Sequence, residues 1–346
     1  MDVQMWVKAL KIMPHVSKEE WAKLDIISRW LVATRAAALV TTVTSVVIAG
    51  LLAAIDGRFN WWRFLLVLFG LYFAHGTNNL VNDLTDSAHG VDKDNYFRTQ
   101  YGPQTLESGL LSKKQLYTYI GVSGAIASVC GIILILTQAV STVGNPWITL
   151  ALMAIGAFFV LFYTYPLKFI ALGELSIFLV WGPLMVAGGH YAITGTWSWG
   201  TVWASLPYGL AVTAVILGKH MDKRKEDIEK HIHTLPSLIS EKAGRTSVLV
   251  IWALMYILPV AFIFLVPQYF SWPMLLVWVT PLLLKKSERQ FVWNAFTHPR
   301  PTEPPEEAKS FWPLWFVGAG MIHTRLYGGV LVLAIILETI LWKVIH

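Results

Sequence analysis

The sequence predicts an all-α, polytopic membrane protein: a nine-transmembrane-helix bundle with a cytoplasmic cap over a central cavity. Three observations lead to it. Of the 346 residues, 55% are hydrophobic and only 14% charged, with a mean hydropathy of +0.54, whereas soluble domains carry about 25% charged residues. The apolar residues gather into nine runs of roughly 15 to 28 residues, near the length that crosses a bilayer. Finally, the basic residues are divided very unequally between alternate connections.

The runs cover 29–55, 61–82, 115–138, 146–164, 169–194, 199–218, 246–267, 271–284 and 314–342. Residues 1–28 form an N-terminal interfacial and cytoplasmic segment, and 29–346 one transmembrane domain. In the first segment Val3 to Ile12 carries apolar residues at helical spacing around Trp6, which predicts a helix lying flat on the membrane. Met1 to Ser17 lacks a long apolar core, so no cleavable signal peptide is expected. Ser17 and Glu20 have the spacing of a capping box. The fifth run holds Gly182-Pro183 and Gly188-Gly189 and is predicted to kink or break there. The eighth run is the shortest. His298 to Pro305 is Pro-rich and reads as an irregular linker. The 17 Trp, spread over many run ends, suit interfacial anchoring. Cys130 is the only cysteine, so no intrachain disulfide can form.

With the N-terminus in the cytoplasm, 22 Lys/Arg fall on the cytoplasmic side and 3 on the other, with Arg35 and Arg325 inside runs. That asymmetry is the positive-inside pattern. It accounts for the net charge of +6 and points to no nucleic-acid partner. The lipid bilayer is the partner that composition implies.

Two acid-rich segments then face the cytoplasm, each at the end of an even-numbered run. The first contains Asn78, Asn79, Asn82, Asp83, Asp86, His89, Gly90 and Asp92. On a helix continuing from the second run, Asn79, Asp83 and Asp86 share one face. Polar residues at membrane depth are costly and are usually functional. Clustered carboxylates of this kind suit Mg²⁺, which binds diphosphates through one or two carboxylates plus substrate oxygens. The second segment runs from Lys219 and His220 through Asp222, Lys223, Arg224, Lys225, Glu226 and Asp227. On a regular helix Asp222 shares a face with Glu226 but not with Asp227, and Lys223–Asp227 and Glu226–Lys230 can equally be ordinary ion pairs. Other polar residues near the runs are Arg35 and Arg325, which can pair with carboxylates or snorkel, and Glu174, a general base or a helix-end acid. His190 reads as lying near the far side. Tyr163 and Tyr165 can line a carbocation pocket through their π faces or belong to the aromatic belt.

These segments resemble the UbiA superfamily of intramembrane prenyltransferases, and within it the dihydroxynaphthoate polyprenyltransferases. The first matches their Asn-Asp-x-x-Asp-x-x-x-Gly-x-Asp pattern at Asn82, Asp83, Asp86, Gly90 and Asp92. Tyr101-Gly-Pro103, Ser108-Gly-Leu110, Tyr165-Pro166-Leu167, Leu172-Gly-Glu174 and Thr234-Leu235-Pro236 are also similar. The resemblance covers about residues 25 to 245. It implies Mg²⁺ held by Asp83, Asp86, Asp222 and Asp227, with Asn79 and Asn82 orienting the ligands. It also implies an isoprenyl diphosphate contacted by Arg98, Lys219, Lys223 and Lys225. Arg35, Tyr163 and Glu174 would line the pocket, under cap loops 83–114 and 219–245. The second segment departs from the family: Lys219-His220-Met precedes Asp222, and Asp222 to Asp227 is one residue longer than the usual Asp-x-x-x-Asp. Counting back from Thr234 favours Asp227 over Glu226 as the second acid.

The function implied is transfer of a prenyl group to an acceptor, an aromatic one if the naphthoate likeness extends so far. A membrane terpene cyclase of the same superfamily, needing no acceptor, is the alternative that the altered second segment keeps open. A non-catalytic lipid-binding or transport protein is a third class, but no internal repeat of the kind many transporters carry is visible.

Overall fold

The computed structural model describes residues 1–91, 102–141, 143–306, 309 and 312–345. Among them every regular element is helical, apart from one isolated bridge between Ile170 and His233. Asp92, Arg98 and Tyr101, named above, lie outside the described residues.

The N-terminal segment forms α1 (Val3–Lys11), α2 (Lys18–Lys23) and α3 (Ile26–Ala33). The Ser17/Glu20 capping box is present. Asp25 is the hub of this region. Its carboxylate accepts the Ile27 and Ser28 N–H groups at 2.9 and 3.0 Å, so it caps α3, and it also accepts the Asp2 N–H at 2.7 Å and the Trp6 indole N–H at 3.2 Å. Trp6 therefore faces the bundle, where it packs with Trp21, Leu24 and Leu31.

The first apolar run is not one helix. It breaks at Thr34 and Arg35, where Arg35 adopts a left-handed conformation (φ 54°), and resumes as α4 (Ala36–Ile55). Next come α5 (Trp61–Ala88), α6 (Lys113–Ser141) and α7 (Pro146–Phe162). The next helix, α8 (Gly173–Thr194), is interrupted by a wide turn over Val180–Ala187, with non-helical backbone at Gly182. The Gly182-Pro183 step was predicted to do this: Pro183 has no N–H to give the preceding turn. Within the turn the Trp181 carbonyl accepts the Ser45 hydroxyl, at 2.9 Å. Across the break lies α9 (Trp199–Asp222). A Cβ on Gly209 would stand 3.0 Å from Gly182 Cα, so glycine at both places lets the two backbones touch. The chain continues with α10 (Arg224–Glu229), α11 (Glu241–Leu265), α12 (Trp272–Leu283), α13 (Lys286–Thr297) and α14 (Trp315–Ile345).

Seven of these, α4, α5, α6, α8, α9, α11 and α14, are long and apolar enough to cross a membrane. The two remaining apolar runs form the shorter α7 and α12. α7 starts beside Asn145, whose carbonyl accepts the Tyr191 hydroxyl at 2.9 Å, and ends beside Thr164, which meets Asn82 at the opposite end. Its 17 residues rise roughly 25 Å. α12 is wound as a 3₁₀ helix from Trp272 to Val279, a form that rises about 2.0 Å per residue and so reaches further.

The far end of the bundle is tied by Asp56. It accepts hydrogen bonds from Tyr269 at 2.9 Å and Gln268 at 3.0 Å and pairs with His190 Nε2 at 2.8 Å. Burial pushes this carboxyl up, but these partners together hold it below the usual carboxylate range.

Asp25 carries a pH prediction. The Ser28 N–H does most to hold its carboxyl below the usual range. A carboxylate with a depressed folded pKa stabilises above its unfolded pKa and loses that contribution as pH falls. Limited digestion should therefore leave residues 1–23 protected from trypsin at neutral pH and open to pepsin in acid, while Asp25→Ala should open them to trypsin at neutral pH. Equal protection of Asp25→Ala and wild type would show that Asp25 does not hold this segment.

Candidate active site

The last turns of α5 carry two pairs of amide and acid. Asn79 and Asp83, four apart, face the α3–α4 break: Asn79 Nδ2 donates to the Thr34 carbonyl at 2.7 Å, and Asp83 pairs with the Arg35 guanidinium. The left-handed turn at Arg35 aims that side chain at α5. Asp83 also accepts the Thr105 N–H and hydroxyl at 3.3 and 3.0 Å. Asn82 and Asp86, again four apart, face the connection after α7. Asn82 donates to the Thr164 hydroxyl at 3.0 Å, and Asp86 pairs with Lys168. Asn79, Asp83 and Asp86 share one face of the unbroken α5, and their partners reach it from two directions; Arg35 Nη1 also lies 3.5 Å from Asn82 Oδ1.

The second segment arrives through a helix break. α9 stops at Asp222, Lys223 leaves the helix, and α10 restarts at Arg224. The break turns Asp227 inward, where it is 1% exposed. It accepts the Thr234 hydroxyl at 3.2 Å and pairs with Lys223 at 3.4 Å. Lys230 joins the two segments, donating to the Gly90 and Val91 carbonyls at 3.1 and 2.9 Å. Lys168 lies within the fields of Asp86, Lys223 and Asp227 together; burial pulls its ammonium below the usual lysine range and Asp86 opposes that most strongly.

Asp222 departs from the expectation that it joins this cluster. Its two oxygens accept the Phe316 and Val317 N–H groups, at 3.0 and 2.9 Å, and pair with Arg300 at 3.5 Å. Those N–H groups open α14 and have no partner within their own helix, so a carboxylate is favoured there. Lys225 is exposed, away from the buried acids, because α10 points that position outward. Lys219 and Glu226 are half-buried.

Three of the cluster's residues were not singled out from the sequence. Lys168, Thr105 and Thr164 carry no motif. Glu174 was named, but its partner was not: His220 Nδ1 lies 2.7 Å from Glu174 Oε1, with both side chains buried.

Between α5, α6, α7 and α8 runs a cavity of about 360 Å³, overwhelmingly apolar, lined by Leu66, Gly70, Gly131, Gly188, Asn78 and Tyr163 among others. From Leu66 to Asn78 it follows roughly 18 Å of α5. It ends at Asn78 and Tyr163, one helical turn from Asn82. Tyr163 lines this cavity, whereas Arg35 and Glu174 are not among its lining residues.

Among the described residues no group of three His, Cys, Asp or Glu is gathered tightly enough to cage a metal by itself. Mg²⁺ needs no such cage, since one or two carboxylates suffice when phosphate oxygens complete the shell. Asp83, Asp86 and Asp227 are hard oxygen donors turned into one end of the bundle, and they fit that use.

The UbiA prenyltransferase family model matches residues 43–299. A UbiA prenyltransferase domain-containing protein 1 homolog of Drosophila melanogaster is 27% identical over 237 residues, 68% of this chain and 62% of that protein. The chain thus spans under two thirds of that relative's length. The 1,4-dihydroxy-2-naphthoate octaprenyltransferase of Mycobacterium tuberculosis is 28% identical over 167 residues, 47% of this chain and 53% of the other. In fold, the chain is similar to the apo structure of a UbiA homolog from Aeropyrum pernix K1, with a TM-score of 0.60 and 16% identity over 86% of this chain and 97% of that one. It is similar also to a UbiA homolog from Archaeoglobus fulgidus bound to DMAPP and Mg²⁺, with a TM-score of 0.50 and 12% identity over 85% and 97%. With the family model spanning well over half of its residues, the chain belongs to the UbiA prenyltransferase family.

Proposed function

We propose that this protein transfers a prenyl group from an isoprenyl diphosphate to an aromatic acceptor, with Mg²⁺ and with its site on the cytoplasmic side of nine membrane crossings. The observation that carries the reading is the junction of an apolar cavity with a buried acid–base cluster: the cavity wall at Asn78 lies one turn from Asn82 and two from Asp86. Each buried CH₂ of a prenyl tail gains about 0.8 kcal/mol, while a diphosphate is far too costly to bury without cations. Tail and head therefore sort themselves into the two halves of this site. The naphthoate enzyme among the relatives and the DMAPP and Mg²⁺ in a neighbouring structure support the same assignment.

Asp83, Asp86 and Asp227 would hold Mg²⁺, which when bound neutralises charge on the leaving diphosphate. These acids are paired with Arg35, Lys168 and Lys223. An arriving diphosphate gives those cations a better partner and makes carboxylate oxygens available. Arg35, Lys168 and Lys223 then stabilise the charge that develops as the allylic C–O bond breaks. Asn79 and Asn82, fixed by Thr34 and Thr164, keep the turn of α5 from shifting. The apolar wall excludes water that would quench the cation. Asp222 takes no part in this set; it anchors α14.

Removing one partner of a buried pair costs about 3–5 kcal/mol. Asp86→Ala should therefore lose both prenyl transfer and thermal stability in detergent. The double variant Asp86→Leu/Lys168→Met should regain much of the stability and none of the transfer. Transfer at a wild-type rate by the double variant would remove both residues from the chemistry. The assay is mass spectrometry of products from a panel of prenyl diphosphates, with and without phenolic and naphtholic acceptors. Product that contains acceptor supports transfer; a cyclic hydrocarbon formed from donor alone would mean a cyclase.

The cavity makes a second prediction. Gly156 lines it, and an added Cβ there meets nothing within 4 Å. Gly156→Leu should narrow the tail channel without disturbing the fold and shift donor preference from geranylgeranyl toward geranyl diphosphate. An unchanged preference would place the tail elsewhere.

A further inference from the structure

α1 presents three faces, where a helix packed on a protein surface ordinarily has two. Trp6 and Ala9 turn inward: the Trp6 indole donates to Asp25, and Ala9 is buried in one cluster with Trp21, Leu31, Ala33 and Ala36. Gln4, Lys8 and Lys11, at i, i+4 and i+7, form an exposed polar face. Val3, Val7 and Leu10 have the same spacing and form a third face, apolar yet 56%, 46% and 47% exposed. Ile26, directly after the Asp25 that binds the start of α1, is 66% exposed as well. Scattered exposed apolar side chains are normal, but a whole face of them beside a charged face is the pattern of a helix lying in a membrane interface. Trp6, around which the sequence suggested such a face, belongs to the bundle side instead.

The place of α1 indicates what covers its third face. Arg325 donates to the Lys11 carbonyl at 3.1 Å and to the Ala37 carbonyl at 2.6 Å. The end of α1 is thereby tied to the first turn of α4 and to α14, both long and apolar enough to cross a membrane. α4 enters the bilayer at that end, so the membrane surface lies beside α1. α14 has 31 residues where about 20 span a bilayer, which leaves room for Arg325 at the level of the headgroups. The same contact collects three cations, because Lys8 and Lys11 lie in the last turn of α1 and are exposed, as is Arg325. Among the described residues none of the three forms an ion pair with a carboxylate. Cations beside an exposed apolar face fit a phospholipid of net negative charge, its phosphate on the cations and its acyl chains on the apolar side. We infer that α1 is a lipid-binding helix seated in the leaflet at the motif end of the bundle: Lys8, Lys11 and Arg325 bind an anionic headgroup, while Val3, Val7 and Leu10 enter the acyl layer. This seat is independent of the reaction the bundle performs.

The test uses the full chain in a Cys130→Ala background, reconstituted in liposomes of phosphatidylcholine with or without phosphatidylglycerol. Val3→Cys, Gln4→Cys, Val7→Cys and Leu10→Cys each receive a nitroxide label. Its collisions are measured with oxygen, which concentrates in the acyl layer, and with a nickel chelate, which stays in water. Elution from gel filtration at the wild-type position reports that each variant is folded. Labels at positions 3, 7 and 10 should favour oxygen over the chelate several-fold more than the label at position 4 does. Phosphatidylglycerol should deepen the labels at 7 and 10, and Lys8→Gln/Lys11→Gln should cancel that gain. Labels at 3, 7 and 10 as open to the chelate as the label at 4 would put this face in water and overturn the inference. Shielding of those labels from both reagents would overturn it too, since a second copy or another part of the chain would then cover the face. Equal depth with and without phosphatidylglycerol would likewise overturn it, because the cations would then hold no anionic headgroup.

Discussion

Three carboxylates buried in a membrane bundle are each paired with a cation buried beside them. Asp83 with Arg35, Asp86 with Lys168 and Asp227 with Lys223 bring together five stretches of chain: the α3–α4 break, the end of α5, the connection after α7, the α9–α10 break and Thr234. Leaving any of these charges alone at such depth would cost several kcal/mol. The pairs therefore tie these stretches together at one end of the bundle. Because each is attraction between single charges, a more highly charged ligand can displace it.

The same constraint explains the irregular places in the fold. Arg35, between α3 and α4, takes a left-handed conformation, and that conformation turns it toward Asp83. α9 ends where Asp222 leaves for the start of α14, and the step at Lys223 brings both Lys223 and Asp227 inward. The broken α8 and its contact with α9 through Gly182 and Gly209 fix one wall of the cavity. The breaks at Arg35 and Lys223 thus lie at the acid–base cluster itself.

The sequence made much of this legible where the deciding contacts are local. Apolar runs register as helices because hydropathy and length act within one segment. Asn79, Asn82, Asp83 and Asp86 were readable as a unit because they sit on one unbroken helix. The capping box at Ser17 and the break at Gly182-Pro183 follow from chemistry only a few residues long. What could not be read depends on distant chain. Asp222 looks like a ligand until α14, more than ninety residues on, presents two N–H groups to it. The break at Arg35 lies in a stretch, Ala33-Thr34-Arg35-Ala36, with no helix-breaking residue; it is set by Asp83 on the next helix. Lys168, Thr105 and Thr164 have no pattern of their own, and His220 acquires meaning only beside Glu174.

The central claim is that the cations on Asp86 and Asp227 move to the substrate's diphosphate when it arrives. The most direct test is an experimental structure of the protein in lipid with Mg²⁺ and a non-ionisable geranylgeranyl thiolodiphosphate. The expected result is the thiolodiphosphate at the motif end of the cavity, with Lys168 and Lys223 on its oxygens and off Asp86 and Asp227, and the tail along α5 toward Leu66. A ligand bound elsewhere, or bound there with the Asp86–Lys168 and Asp227–Lys223 pairs intact, would contradict it.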